Sequence, residues 1–139
     1  MDKEKPFVVG QVATLKHIFY RKSVENYAEL VGDTNPIHLN TNYARATRFG
    51  DCIVHGMLVV GLISSVLGTK LPGPGAIYMS QNIVFKAPVY FGDSLTAKAT
   101  VKSWDDETGR LLMSTEVRKD AGGLAVFGDA RLVIASYLK

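Results

Sequence analysis

The chain has 139 residues, 47% of them hydrophobic and 21% charged, with a net charge of +3. That is material for one domain spanning residues 1–139 with a single apolar core, and it leaves no room for a second domain. A lone cysteine, Cys52, excludes an internal disulfide and points to a reducing compartment, while scattered basic residues without interleaved aromatics argue against a nucleic-acid partner.

The first residues, Met1 to Pro6, lack the apolar stretch of a secretory signal, and no apolar run approaches the roughly 20 residues that span a bilayer. No membrane association is expected. The expected compartment is the cytoplasm, or the mitochondrial matrix if a presequence has been removed.

Val8 to Tyr20 is rich in β-branched and aromatic residues and predicts an opening strand after the Gly10 break. Ser23 then reads as the N-cap of a short helix with Val24, Tyr27, Ala28 and Val31 on its apolar side, stopped by Gly32. Next comes Gly32-Asp33-Thr34-Asn35-Pro36-Ile37-His38. A regular strand or helix would keep Asp33 and His38 apart, but Pro36 fixes its own φ and restricts Asn35, so the backbone bends between them. The bend can bring a carboxylate and an imidazole together as a general acid/base pair. It also admits a plainer reading, because Gly-Asp and Asn-Pro are ordinary turn and capping residues.

Leu39 to Phe49 reads as a polar loop with a short helix around Tyr43 to Thr47. Gly56 to Gly68 is uncharged and apolar on nearly every face, so it predicts a buried helix, too short for a membrane, inside a curved sheet. After Pro72-Gly73-Pro74-Gly75 the pattern turns to strands: Ala76 to Tyr90, Ser94 to Trp104, Leu111 to Lys119 and Leu124 to Tyr137. The short turns between neighbouring strands call for antiparallel pairing. A buried helix followed by an antiparallel meander is an α+β hot-dog fold, with the sheet wrapped around the helix.

Taken together, Tyr27-Ala28, the Gly32 to His38 segment, Tyr43-Ala44, Phe49-Gly50, Ile53-Val54-His55-Gly56-Met57, Pro72-Gly73-Pro74-Gly75, Phe85-Lys86-Ala87-Pro88-Val89 and Phe91-Gly92-Asp93 resemble the MaoC-like (R)-specific enoyl-CoA hydratases, the hydratase 2 family. The resemblance runs from about Val9 onward, with Cys52 standing where many relatives have proline. It implies reversible addition of water to a trans-2-enoyl thioester, giving a (3R)-3-hydroxyacyl thioester, in fatty-acid metabolism. It implies a catalytic pair, Asp33 and His38, that holds the water, with Asn35 assisting. It also implies an oxyanion contact at Gly56, where the start of the helix offers an unpaired amide.

Ser64, eight residues beyond Gly56, falls near the same helix face, and relatives carry a serine there beside the water and acyl site. The acyl chain is expected along Met57, Val60 and Gly61. No cofactor is implied; the substrate rides on coenzyme A or acyl carrier protein. The helix carries no carboxylate, unlike hot-dog thioesterases and the other large dehydratase group, so the acid must come from the loop.

His55, just before the helix, reads as structural, and His17 has no partner motif. Asp33, His38 and His55 contain the donors of a metal site, but nothing in the sequence makes them converge and the implied reaction needs no metal. Lys16, Arg48, Lys70 and Lys86 are candidate phosphate or carrier contacts, but each reads first as a solvated surface charge, as most surface Lys and Arg are. A homodimer is expected, because a lone protomer exposes a strand edge. The alternatives are a 3-hydroxyacyl carrier-protein dehydratase and a noncatalytic acyl-thioester-binding subunit.

Overall fold

The computed structural model describes residues 6–138. The first five residues, on which the reading of the N-terminus partly rests, lie outside them. The chain forms β1 (Val12–Ile18), α1 (Arg21–Val31), α2 (Pro36–Leu39), α3 (Thr41–Arg45), α4 (Gly56–Thr69), β2 (Ala76–Gln81), β3 (Val84–Phe85), β4 (Ser94–Asp105), β5 (Arg110–Lys119) and β6 (Leu124–Ile134), then a 3-10 turn at Ala135–Tyr137. The sheet is antiparallel, in the order β1-β4-β5-β6-β2, and β3 also pairs with β6. No helix among the described residues is long and apolar enough to cross a membrane.

Alternation along the meander explains the packing. In β4, Leu95, Ala97, Ala99 and Val101 point inward, and in β5 Leu111, Met113, Thr115 and Val117 do so. Two alanines at the centre of β4 leave room for a helix to approach, and α4 fills it with Val59, Leu62, Ile63, Val66 and Leu67, all in the same core. Register shifts between Val101 and Ser103 in β4, and between Tyr78 and Ser80 in β2, let the sheet curl around α4. This is the hot-dog arrangement.

Five local expectations change. Ser23 lies inside α1: the helix begins at Arg21 directly after extended Tyr20, without a side-chain cap. Arg21 holds that end instead, donating to the Leu39 carbonyl at 3.2 Å and to Thr41 Oγ1 at 2.9 Å. The short helix expected at Tyr43 to Thr47 runs Thr41–Arg45, because Asn40 Oδ1 caps the Tyr43 N–H at 3.0 Å.

The single strand expected from Ala76 to Tyr90 is broken into β2 and β3. Asn82 turns away to bond Asp129 with both its amide and its side chain, and Pro88 cannot donate to a ladder. The final strand stops at Ile134 rather than Tyr137. Lastly, α4 is not buried on every face: Met57, Gly61, Ser64 and Gly68 form an open stripe at helical spacing.

Candidate active site

Gly32 ends α1 in the left-handed region, with φ 80, and its N–H returns to the Ala28 carbonyl at 2.9 Å. An L side chain there would be strained, so glycine is what lets the chain reverse into Asp33. The Asn35 N–H donates to Asp33 Oδ1 at 3.3 Å, and Asn35 Oδ1 accepts from the Ile37 N–H at 3.2 Å. Asn35 thus caps α2, whose first residue is Pro36, the helical position where a missing N–H costs nothing.

One turn of helix then points His38 inward, where it is buried. Its Nδ1–H donates to the Ile53 carbonyl at 2.8 Å. Since a carbonyl can only accept, this bond leaves Nε2 as the unprotonated nitrogen of the neutral ring. Ile53 returns its N–H to the Ile37 carbonyl at 3.2 Å and is itself bridged to Tyr90.

His55 closes the group. Its Nε2–H donates to the Asp33 carbonyl at 3.0 Å, and its ring stacks on His38 at 3.8 Å between centroids with 28° between planes. Tyr27 packs edge-on against the other side at 4.8 Å. His55 Nδ1 is buried without a hydrogen-bond partner among the described residues. Burial pushes the His38 pKa below 6.5; the Ile53 carbonyl opposes this, His55 adds to it and Asp33 opposes it.

Donor atoms of Asp33, His38 and His55 all lie within 4.8 Å of one another. The sequence offered no reason for that convergence. The spacing admits an ion, but His38 spends Nδ1 on the Ile53 carbonyl and His55 spends Nε2 on the Asp33 carbonyl, leaving one ring nitrogen on each. The same spacing suits one shared water, which reaches two groups through hydrogen bonds of about 2.8 Å each.

These groups border a cavity of about 490 Å³ that also meets Gly56, Met57, Phe85 and Pro88. Leu58 and Val59 N–H both donate to the His55 carbonyl, leaving the Gly56 and Met57 amides without a main-chain acceptor among the described residues. A Cβ at Gly56 would stand 2.6 Å from Phe85 Cε1, so glycine is what allows that ring to lie against the helix start.

Arg48 and Lys86 also line this cavity, and the other sequence candidates fall elsewhere. Asn35 is exposed and spends its side-chain oxygen on the cap. Val60, Gly61 and Ser64 line a second groove of about 610 Å³, together with Tyr78 and Met79, and Met57 borders both spaces. Eight residues of helix turn Ser64 roughly 80° past Gly56, enough to place it on the neighbouring groove. His17 packs against Phe19, away from this group. Phe85, and the contacts of His55 with Asp33 and His38, were missed. The local signal was the His-Gly pair directly before the buried helix, which says nothing by itself about what it meets.

Residues 3–122 match the MaoC like domain family. The chain is 43% identical over 125 residues to the (R)-specific enoyl-CoA hydratase of Rhodospirillum rubrum, covering 90% of this chain and 86% of that one. It is 34% identical over 130 residues to a mitochondrial 3-hydroxyacyl-[acyl-carrier-protein] dehydratase of Solanum lycopersicum, covering 92% of this chain and 78% of that one. The solved (R)-hydratase from Aeromonas caviae superposes with a TM-score of 0.89 at 39% identity, covering 92% of this chain and 97% of that one. With a family match over most of its length, and the same fold in a relative of this similarity, the chain belongs to the MaoC-like domain family.

Proposed function

We propose that this protein is a hydro-lyase of fatty-acid metabolism, an (R)-specific enoyl-CoA hydratase that adds water reversibly to a trans-2-enoyl thioester and gives the (3R)-3-hydroxyacyl thioester. The observation that carries the catalytic reading is the placement of Asp33 and His38 across a gap that one water spans, beside the start of α4. Water is a poor nucleophile and the α-carbon a poor base, so the reaction needs a positioned acid and base, each worth roughly 100-fold to 10,000-fold.

The pair takes one proton from the water as its oxygen bonds to the β-carbon, and returns one proton to the α-carbon. No electron acceptor is consumed and no cofactor is called for. His38, held neutral with Nε2 free, suits the role of base. As the double bond is attacked, charge moves onto the thioester oxygen, and the Gly56 amide supplies a donor at a helix N-terminus. Met57 leads from this cavity toward Val60, Gly61 and Ser64, the groove assigned to the acyl chain. Dehydration uses the same groups in reverse.

The substrate is carried on coenzyme A or on acyl carrier protein. Two copies are expected to associate through β2, an edge strand with Ile77, Tyr78 and Met79 exposed. Sedimentation at micromolar concentration should give the mass of a dimer; a monomer would overturn that part.

The decisive assay follows the enoyl absorbance of crotonyl-CoA and identifies the product with (R)- and (S)-specific dehydrogenases. Loss of absorbance with the (R) product is expected. If the folded protein turns over neither crotonyl nor longer enoyl thioesters on either carrier, it is a noncatalytic acyl-thioester binder.

A further inference from the structure

We propose that Arg48 and Lys86 form a phosphate-binding pair at the mouth of the Asp33 and His38 cavity, receiving a phosphate of the arm that carries the thioester. The proposal rests on the thioester reading above and names the part of the substrate that reading leaves open.

Two separate segments bring these cations to one cavity. Arg48 follows α3, Lys86 follows β3, and both line the space that holds Asp33 and His38. Both are exposed, and neither forms an ion pair with a carboxylate among the described residues. Each is steadied by an aromatic face: the Arg48 guanidinium lies 5.1 Å from the centroid of Phe49, and Lys86 Nζ lies 5.8 Å from that of Phe127.

The other lysines that the sequence offered for this role are engaged elsewhere. Lys16 bonds Asp120 at 3.3 Å, and Lys70 Nζ donates to the Thr14 carbonyl at 2.6 Å. Lys119, near the same wall, is bonded to Asp93 and to the Pro88 carbonyl.

The chemistry of the substrate supplies the missing anion. Charge that develops at the reacting end is met by the Gly56 amide, and the acyl chain is apolar. A pantetheine arm ends in a phosphate, whether it belongs to coenzyme A or to a carrier protein. It is long and flexible enough to leave the thioester between Asp33 and His38 while the phosphate reaches the rim. Arginine offers a planar fork of donors and lysine a mobile point charge, a pairing suited to the anionic oxygens of a phosphate diester or pyrophosphate. Because both groups face solvent, the attraction should weaken with salt.

The test is binding of butyryl thioesters, which lack the double bond and do not react. Calorimetry compares butyryl-CoA, butyryl-4′-phosphopantetheine and butyryl-pantetheine on the wild type, Arg48→Ala/Lys86→Ala and the charge-keeping Arg48→Lys. On the wild type, a phosphorylated ligand should bind about tenfold or more tighter than butyryl-pantetheine. The double variant should lose that advantage and its salt dependence, and Arg48→Lys should keep part of it.

An advantage already complete with 4′-phosphopantetheine assigns the site to the phosphate common to both carriers; one seen only with butyryl-CoA assigns it to the nucleotide phosphates. Either result supports the pair. No advantage on the wild type, or one that survives in the double variant, overturns it. Since the readout is binding, it stands apart from crotonyl-CoA turnover, and failure of one does not imply failure of the other.

Discussion

Two hollows lie along α4 and meet at Met57, and they are built from opposite materials. The one at the helix start is walled by segments from outside the helix and gathers Asp33, His38 and His55. The one along its side is made from the helix's small residues, Gly61 and Ser64, and from β2. Its titratable group, Tyr78, keeps part of its ring exposed, and desolvation of the rest pushes its pKa up to about 12, further into the protonated form that a tyrosine already holds at neutral pH. On the proposed function the contrast becomes a division of labour: reactivity would be borne by loops that the sheet fixes in place, and room by the helix face that carries Gly61 and Ser64. If the division is real, substitutions in the two hollows should affect different measurements.

The largest effects belong to the first hollow. Asp33→Asn and His38→Ala should each lower kcat for crotonyl-CoA by about 100-fold to 10,000-fold, with thermal melting nearly unchanged for exposed Asp33. A loss below tenfold in either would remove that residue from the chemistry. Gly56→Ala should follow, since the new Cβ drives the Phe85 ring from its place. Melting should reveal a cost of about 1–3 kcal/mol for overpacking, and kcat/KM should fall through displacement of the ring at the substrate's entry.

His55→Phe keeps a ring against His38 but leaves the Asp33 carbonyl without its donor. A cost of about 1–3 kcal/mol is expected in denaturant unfolding. The pH profile is a gentler probe. Burial lowers the His38 pKa, and a base works when unprotonated, so kcat/KM should stay level as pH falls through 6.5 and decline only below it. An acid limb centred above 6.5 would contradict the neutral, buried imidazole. Gly61→Val, in the second hollow, should change crotonyl turnover least and turnover of longer enoyl chains most. If it slowed crotonyl-CoA as much as Asp33→Asn, the two hollows would be one functional space.

What could be read from the sequence followed the range of the interactions. The Asp33 to His38 turn was legible because its cause is local: Gly32, Asn35 and Pro36 each dictate backbone geometry within a few residues. The buried helix was legible from its lack of charge, and the meander from its alternation. Its open stripe was not, because composition says how apolar a helix is and not which side the sheet leaves uncovered. His55 was undervalued for the same reason. Its contact with Asp33 spans 22 residues and depends on how the strand pairings seat α4. Ser64 was placed near Gly56 by counting turns, and the residual rotation that the count ignored is what separates the two hollows.

The hydrogen bond from His38 to Ile53 ends on a main-chain carbonyl, and that has an evolutionary consequence. Every amino acid placed at position 53 brings the same oxygen, so no single side-chain replacement there can delete the acceptor that sets the imidazole's tautomer. The tautomer of the ring is therefore inherited with the bridge between Ile53 and Tyr90, and under the proposed function drift in the pocket lining would retune which substrates enter without altering the proposed base.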